Sequence, residues 1–402
     1  MKNNEFETAT EAAKRFNVTV RAVQKWAAAG KIPGAEKIGR TWFIPKSAKI
    51  LQDVADNTEE KQEKIYKTSD FRPTMPLLNA SFEPGHCLEY VLSISDEDDR
   101  NIAMAEYLFY VGKAEEAVAL LERYVDSTDP SLRYSSSVLT IFASISHGNI
   151  TKAEHAMQVV AELVKASFGN NTAPEIHAMG IMTLVGGSVL WHAPVPEHLP
   201  DLGGYIKYLP AGYRLWSCYL LAHKAYLEKD YVKALTVADM ALAFCDKTYP
   251  LAEIYIHIIS VVALMNLRRP DEAKKRFERV WELTHKDGFV EPIAEHHGMM
   301  LGIIEVHYKR THAEDYKKLM AITGVFAKHW RKIHNVRTAS EVTDMLTNTE
   351  FTVAMLYNRG WSAQEISAFL EVSESTTRNY IKTIYVKLGI SDKKSLARYM
   401  LK

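Results

Sequence analysis

Three side chains near the C-terminus, Arg378, Asn379 and Lys382, share one face of a candidate helix running from about Glu374 to Leu388. A different stripe of that helix carries Thr377, Ile381, Ile384, Tyr385 and Leu388 at helical spacing, so it is expected to pack on neighbouring helices. The Arg/Asn/Lys stripe offers the hydrogen-bonding groups that suit a DNA major groove. An arginine reads guanine bidentately and an asparagine reads adenine. Lys387, nearer the end of the helix, is better suited to holding phosphate. A second set lies at the other end of the chain. Once Val18, Val23 and Trp26 are assigned to a small core, Arg21, Gln24 and Lys25 remain on an exposed helix face. Arg40, at the tip of a candidate wing, can reach phosphate or the minor groove.

The elements that must position these groups are short and punctuated. Near the C-terminus, one helix is predicted from Asn348 to Asn358, stopped by Gly360. A second, capped by Ser362, runs to Leu370. The Glu374–Leu388 helix ends at Gly389, and Ser391 or Asp392 caps a last helix reaching Leu401. At the N-terminus, Thr8 or Thr10 caps a helix ending near Phe16. Thr19 caps a second helix stopped by Gly30. Lys37 to Pro45 alternates around Gly39 as a small hairpin, or wing.

The run LTNTEFTVAMLYNRGWSAQEISAFLEVSESTTRNYIKTIYVKLGIS resembles the LuxR-type helix-turn-helix. The resemblance is gap-free over about 55 residues and is carried by Leu346, Thr347, Glu350, Gly360, Ser362, Glu365, Ile366, Ser373, Thr376, Asn379, Ile384, Lys387, Leu388 and Gly389 among others. It implies that Thr376, Arg378, Asn379 and Lys382 sit where that family contacts DNA. Two departures stand out: Thr377 replaces a usual apolar residue and Tyr380 replaces a common histidine. The run TATEAAKRFNVTVRAVQKWAAAGKIPGAEKIGRTWFIPKS is similar to the excisionase-like, MerR-related winged helix-turn-helix. There the resemblance rests on Ala12-Ala13, Val18, Val23, Trp26, Gly30, Ile32-Pro33-Gly34, Gly39-Arg40, Trp42 and Ile44-Pro45.

Between these modules the pattern is almost wholly helical from about residue 88 to 340, and it repeats. Gly112 to Ala117, Gly148 to Ala153, Lys229 to Ala234 and Arg268 to Ala273 share one form: a turn, a residue that is bulky in three of the four, two mainly polar residues and an alanine. Apolar residues follow four and seven positions after each alanine, on one helix face. The alanines are 36, 81 and 39 residues apart, which leaves room for one degenerate copy holding the Pro/Gly-rich stretch His192 to Gly212. The copies resemble tetratricopeptide repeats, which implies a stacked helical array. Trp191, Tyr205, Tyr208, Tyr213, Trp216 and Tyr219 concentrate at the break. They are read as core filling where the repeat is imperfect, with a concave ligand pocket as the alternative.

The fold expected is therefore mainly α: a helical-repeat solenoid over 87–340, flanked by an N-terminal winged helix-turn-helix (1–48) and a C-terminal four-helix LuxR-type helix-turn-helix (341–402). A polar linker and a proline-rich lead-in fill 49–86. Charge supports that division. Residues 1–50 carry a net +6, residues 346–402 a net +3 and the middle a net −9, within a chain of zero net charge. Basic ends suit a polyanion and an acidic middle avoids it. Cys87, Cys218 and Cys245 are odd in number and far apart, so no disulfide framework is expected. No signal-like N-terminus or membrane-length apolar run appears, and a cytoplasmic location is expected. No nucleotide-binding or catalytic motif stands out. His296 and His297 are adjacent and so point apart, and neither an enzyme, a metal nor a cofactor is expected. The partners expected are double-stranded DNA, an effector (a small molecule, a peptide or a protein) and a second copy of the chain, paired through the last helix, Asp392 to Leu401. The function implied is that of a bacterial transcription regulator, with activation the favoured sign by analogy. A protein-interaction adaptor localised by its terminal modules is the alternative.

Overall fold

A threonine followed three residues later by a glutamate starts helices at both ends of this chain. The computed structural model describes residues 6–16, 18–30, 32–39, 41–48, 74–168, 172–338 and 341–401. The chain divides into two units, Met1–Arg72 and Pro73–Lys402. Most of the expected linker, and Arg40, lie outside the described residues.

In the first unit, Thr8 and Glu11 form a reciprocal capping box that opens α1 (Ala9–Arg15), and Thr19 caps α2 (Val20–Ala28). The expected wing is β2 (Glu36–Ile38) and β3 (Thr41–Pro45), joined through Gly39. A third strand, β1 (Phe6–Thr8), pairs antiparallel with β3 and makes the sheet order β1-β3-β2. Three residues are too short to show strand alternation, so β1 had no sequence signal. Ala12, Val23 and Ile44 are fully buried at the centre, with Trp26 and Trp42 packed at its margin. Arg15 ties α1 to the sheet: its guanidinium donates to Glu7 (2.6 Å) and to the carbonyls of Ala48 (2.9 Å) and Pro45 (3.2 Å).

The second unit is built on helical hairpins. They are α4 (Glu97–Tyr110) with α5 (Ala114–Leu121), α6 (Pro130–His147) with α7 (Ile150–Ala166), α9 (Ala211–Leu227) with α10 (Tyr231–Ala243), and α11 (Pro250–Asn266) with α12 (Pro270–Thr284); α3 (Cys87–Ser93) precedes them. The repeat pattern marks the four hairpin turns. Ala117, Ala153, Ala234 and Ala273 are completely buried, as the close packing of paired helices requires. Each turn needs one left-handed residue: Gly112 (φ 80°), Gly148 (φ 94°), Lys229 (φ 64°) and Arg268 (φ 59°). Glycine takes that conformation without strain. At Gly112 and Gly148 there is a second reason. A Cβ would come within 2.5 Å of Ile322 or 2.6 Å of His329, because a long helix, α15 (Ala313–Thr338), crosses these turns.

The degenerate copy is half a hairpin. α8 (Pro174–Trp191) is present, but an irregular stretch with two 3-10 turns, Leu202–Gly204 and Ile206–Tyr208, stands in place of its partner. The proline-rich lead-in becomes core: Thr74, Leu77, Leu78 and Ala80 are buried, and the Asn79 side chain accepts the Tyr213 amide at 2.9 Å. After the last hairpin come α13 (Glu291–His296), α14 (Ile303–Thr311) and α15, then the C-terminal helices α16 (Asn348–Asn358), α17 (Ala363–Leu370), α18 (Glu374–Leu388) and α19 (Lys393–Leu396). The helices α16 to α18 have the expected bounds. The last helix is a single turn capped by Asp392, followed by a 3-10 turn.

Candidate nucleic-acid interface

The N-terminal face is assembled by α2. Val23 and Ala27 turn into the core, which leaves Arg21, Gln24 and Lys25 exposed on the opposite side. The wing of β2 and β3 stands beside this helix in sequence, with Ile38 62% exposed near its tip. Arg40, the other residue expected on this module's DNA-facing side, lies outside the described residues.

The C-terminal face is assembled by α17 and α18. Ser362 and Glu365 form a capping box on α17, and Ser373 accepts the Thr376 amide at 3.0 Å to start α18. The turn between them passes through Glu371 in the left-handed region (φ 54°). Thr377, Ile384 and Leu388 are buried, and Ile381 and Tyr385 are half-buried. That orientation leaves Arg378, Asn379 and Lys382 exposed, with Thr376 half-buried at the helix start. Ser375 and Val386, the latter 75% exposed, share the outer face and were missed by reading only for charge. Arg378 is preset by Glu374, four residues earlier, which accepts from its Nε at 3.0 Å and its Nη2 at 2.5 Å. Such an exposed pair adds little stability, so a stronger acceptor can displace it.

Lys387 belongs to a different arrangement. Its ammonium is 2.7 Å from Glu350 on α16, whose carboxylate is almost entirely buried. Burial pushes the Glu350 carboxyl up, but Lys387 and the donors of Thr347 outweigh it and hold the carboxyl below its ordinary value of 4.5. The side chain expected to hold phosphate is thus a clamp between α18 and α16. Thr377, the departure noted in the sequence, is wholly buried, and its hydroxyl has no partner among the described residues.

The docking of this module on the repeats was not legible in the sequence. Arg268, at the last repeat turn, donates to the Gly360 carbonyl (2.6 Å) and pairs with Glu365 (3.3 Å). Arg359 donates to the hydroxyls of Tyr231 (3.1 Å) and Tyr226 (3.2 Å). Gly302 (φ 92°) lies against Thr352, Leu370 and Phe369. His296 and His297 do diverge, but both are buried: His296 joins Tyr219 (2.8 Å) and His297 joins Glu305 (2.8 Å), which also receives the Thr352 hydroxyl (3.4 Å). The aromatic residues at the repeat break divide. Tyr213 and Tyr219 are core, and Trp191, Trp216 and the inner face of Tyr219 line a cavity of about 410 Å³.

Two helix-turn-helix modules, each with an exposed polar and basic helix face, define a protein that contacts DNA. Residues 8–48 match the family model described as a helix-turn-helix domain, and residues 344–400 match that of the bacterial regulatory proteins of the luxR family. The chain therefore carries an excisionase-like helix-turn-helix and a luxR-family one, and is a DNA-binding transcription regulator. No curated protein and no solved structure is significantly similar to it. Among the described residues no helix is long and apolar enough to cross a membrane.

Proposed function

We propose that the two modules read DNA through specific side chains: Arg21, Gln24, Lys25 and Arg40 at the N-terminus, and Thr376, Arg378, Asn379 and Lys382 at the C-terminus. On this reading the repeats between them sense an effector and control the readers. The observation that carries it is the orientation of α18: its buried stripe is held by α16 and α17, its clamp by Glu350, and its Arg/Asn/Lys face is left to solvent. Lys387 leaves the contact set, because its charge is already engaged inside the module. Two readers on one chain raise the effective concentration of each at linked sites.

The same reading has the chain acting on palindromic sites as a homodimer, with activation as the favoured sign. Pairing through the last helix would use a polar surface, since Leu396 and Met400 are buried in the chain's own core and Lys393 and Lys394 are exposed. The experiment is a genome-wide map of bound DNA, followed by footprinting with full-length variants. Arg378→Ala or Lys382→Ala is expected to weaken the specific site about 5- to 100-fold with the fold intact. Arg21→Ala with Lys25→Ala is expected to remove a separate part of the footprint and lower the salt slope. Unchanged affinity in both pairs would leave the adaptor reading, in which the repeats do the main work.

A further inference from the structure

The cavity beneath the repeats is closed in part by the DNA-reading module. Its wall runs from Trp216 and Trp330, past Arg331 on α15, to Phe351 on α16 and to Leu401. Gly298 sits where these meet: a Cβ there would lie 3.3 Å from Phe351 and 3.2 Å from Leu401. At about 410 Å³ the space has the size of a small-molecule site. Its rings are fixed against one another. Trp330 stacks on His334 at 4.4 Å, and Trp216 meets Tyr255 edge-on at 4.8 Å.

The polar groups of the wall differ in what they can hold. His296 Nδ1 lies 2.8 Å from the Pro292 carbonyl, which only accepts, so that nitrogen carries the proton. Its Nε2 then accepts from the Tyr219 hydroxyl (2.8 Å), whose oxygen accepts from His223 Nδ1 (3.0 Å). This relay needs the His296 ring neutral, since its Nε2 accepts, and burial pushes His296 down to about 4 and His223 to about 3. Glu295 receives the Tyr255 hydroxyl at 3.2 Å. Burial, then the nearby Glu291, raise its carboxyl well above the usual range. Arg331 is the exception. A guanidinium keeps its proton in a protein. Burial disfavours its charge and Asp344 offsets that only from a distance. Its Nε is buried without a hydrogen-bond partner among the described residues. An aromatic chamber with one permanent cation suits an apolar anion.

We propose that this cavity takes an aromatic molecule bearing a single anionic group, its rings between Trp216 and Trp330 and its anion on Arg331, and that occupancy holds the C-terminal reader docked on the repeats. The proposal rests on the reading of the repeats as a sensor and gives that sensor a ligand class. The coupling follows from the walls. Phe351 and Leu401 leave the cavity if the reader undocks, so a ligand that contacts them binds the docked state better and shifts the population toward it. Glu350, beside Phe351, carries that constraint to Lys387 on the recognition helix.

The test uses the full-length chain and two fluorescent probes with one ring skeleton, 8-anilinonaphthalene-1-sulfonate and the uncharged N-phenyl-1-naphthylamine. The sulfonate is expected to bind once per chain, more tightly than the amine. Arg331→Met is expected to weaken the sulfonate about tenfold and leave the amine unchanged. Ala327→Trp, which fills the cavity, is expected to abolish both with the circular dichroism intact. Bound sulfonate is expected to slow amide exchange in residues 348–358 and 393–401. Equal binding of the two probes, or an indifferent Arg331→Met, would overturn the anion assignment. Absence of saturable binding would overturn the site, and unchanged exchange with the sulfonate bound would overturn the coupling. None of these outcomes touches DNA reading, which footprinting without a probe decides separately.

Discussion

The two DNA-reading modules present similar helix faces but obtain them differently. The N-terminal module owns its core: Ala12, Val23 and Ile44 close it, and Arg15 bonds α1 to the sheet. The C-terminal module borrows. Its first two helices are fastened to the repeats by Arg268, Arg359, Gly302 and Thr352, and α18 keeps its Arg/Asn/Lys face exposed. A basic residue in the first module is thus either a sheet fastener or a candidate reader. In the second it has a third role, as a connection through which the repeats can act on the reader.

The sharpest way to break that comparison is at Gly302. A Cβ there would meet Thr352 at 2.8 Å and Leu370 at 3.1 Å, and the backbone is left-handed. Gly302→Ala is expected to destabilise Pro73–Lys402 by about 2–4 kcal/mol, read by denaturant unfolding followed by tryptophan fluorescence. Amide exchange in residues 6–48 is expected to stay unchanged. A matching loss in that segment would show that the N-terminal module is not self-sufficient.

Arg359→Met comes next. It removes donors from Tyr226 and Tyr231, and a loss of about 2 kcal/mol is expected with DNA affinity preserved wherever the reader redocks. Lys387→Ala separates clamp from contact. A loss of about 1 kcal/mol in stability is expected, with the salt slope of DNA binding unmoved. A slope lower by about one would return Lys387 to the phosphate contacts. The Glu350 carboxyl also gives the pair a pH signature. Its folded value lies below 4.5, so the pair's stabilisation is present above 4.5 and is lost as pH falls through the lower folded value. Acid titration of the wild type should show this loss and Lys387→Ala should show less of it, since the Thr347 donors remain. The smallest effect expected is a gain: Thr377→Val removes a buried hydroxyl without a partner and should stabilise the module by about 1 kcal/mol in thermal unfolding.

Much of this was legible locally. Caps, glycine stops and helical spacing located α1, α2 and α16 to α18, because each rests on residues three or four apart. The repeat turns were legible for the same reason, even where Lys229 and Arg268 occupy positions better suited to glycine. Arg378, Asn379 and Lys382 could be assigned to an exposed face because an amphipathic helix has only one other side to bury. What was not legible arises through contacts remote in sequence. Lys387 meets Glu350 37 residues away. Strand β1 exists only because β3 pairs with it, and the burial of Leu396 and Met400 depends on the rest of the C-terminal core. Trp191, Trp216 and Tyr219 are read from the sequence as core filling with a pocket as the alternative, and whether a large ring fills a core or lines a space depends on the helices opposite.

The sequence by itself determined the two readers, the helical middle and the basic faces, since short-range periodicity and capping suffice for them. Only the tertiary structure decided which basic residues remain free, that the C-terminal reader is joined to the repeats, and that a cavity with one permanent cation opens against it. Those depend on side chains brought together from α8, α9, α13, α15 and α16, and packing between distant helices leaves no regular period in the chain to read.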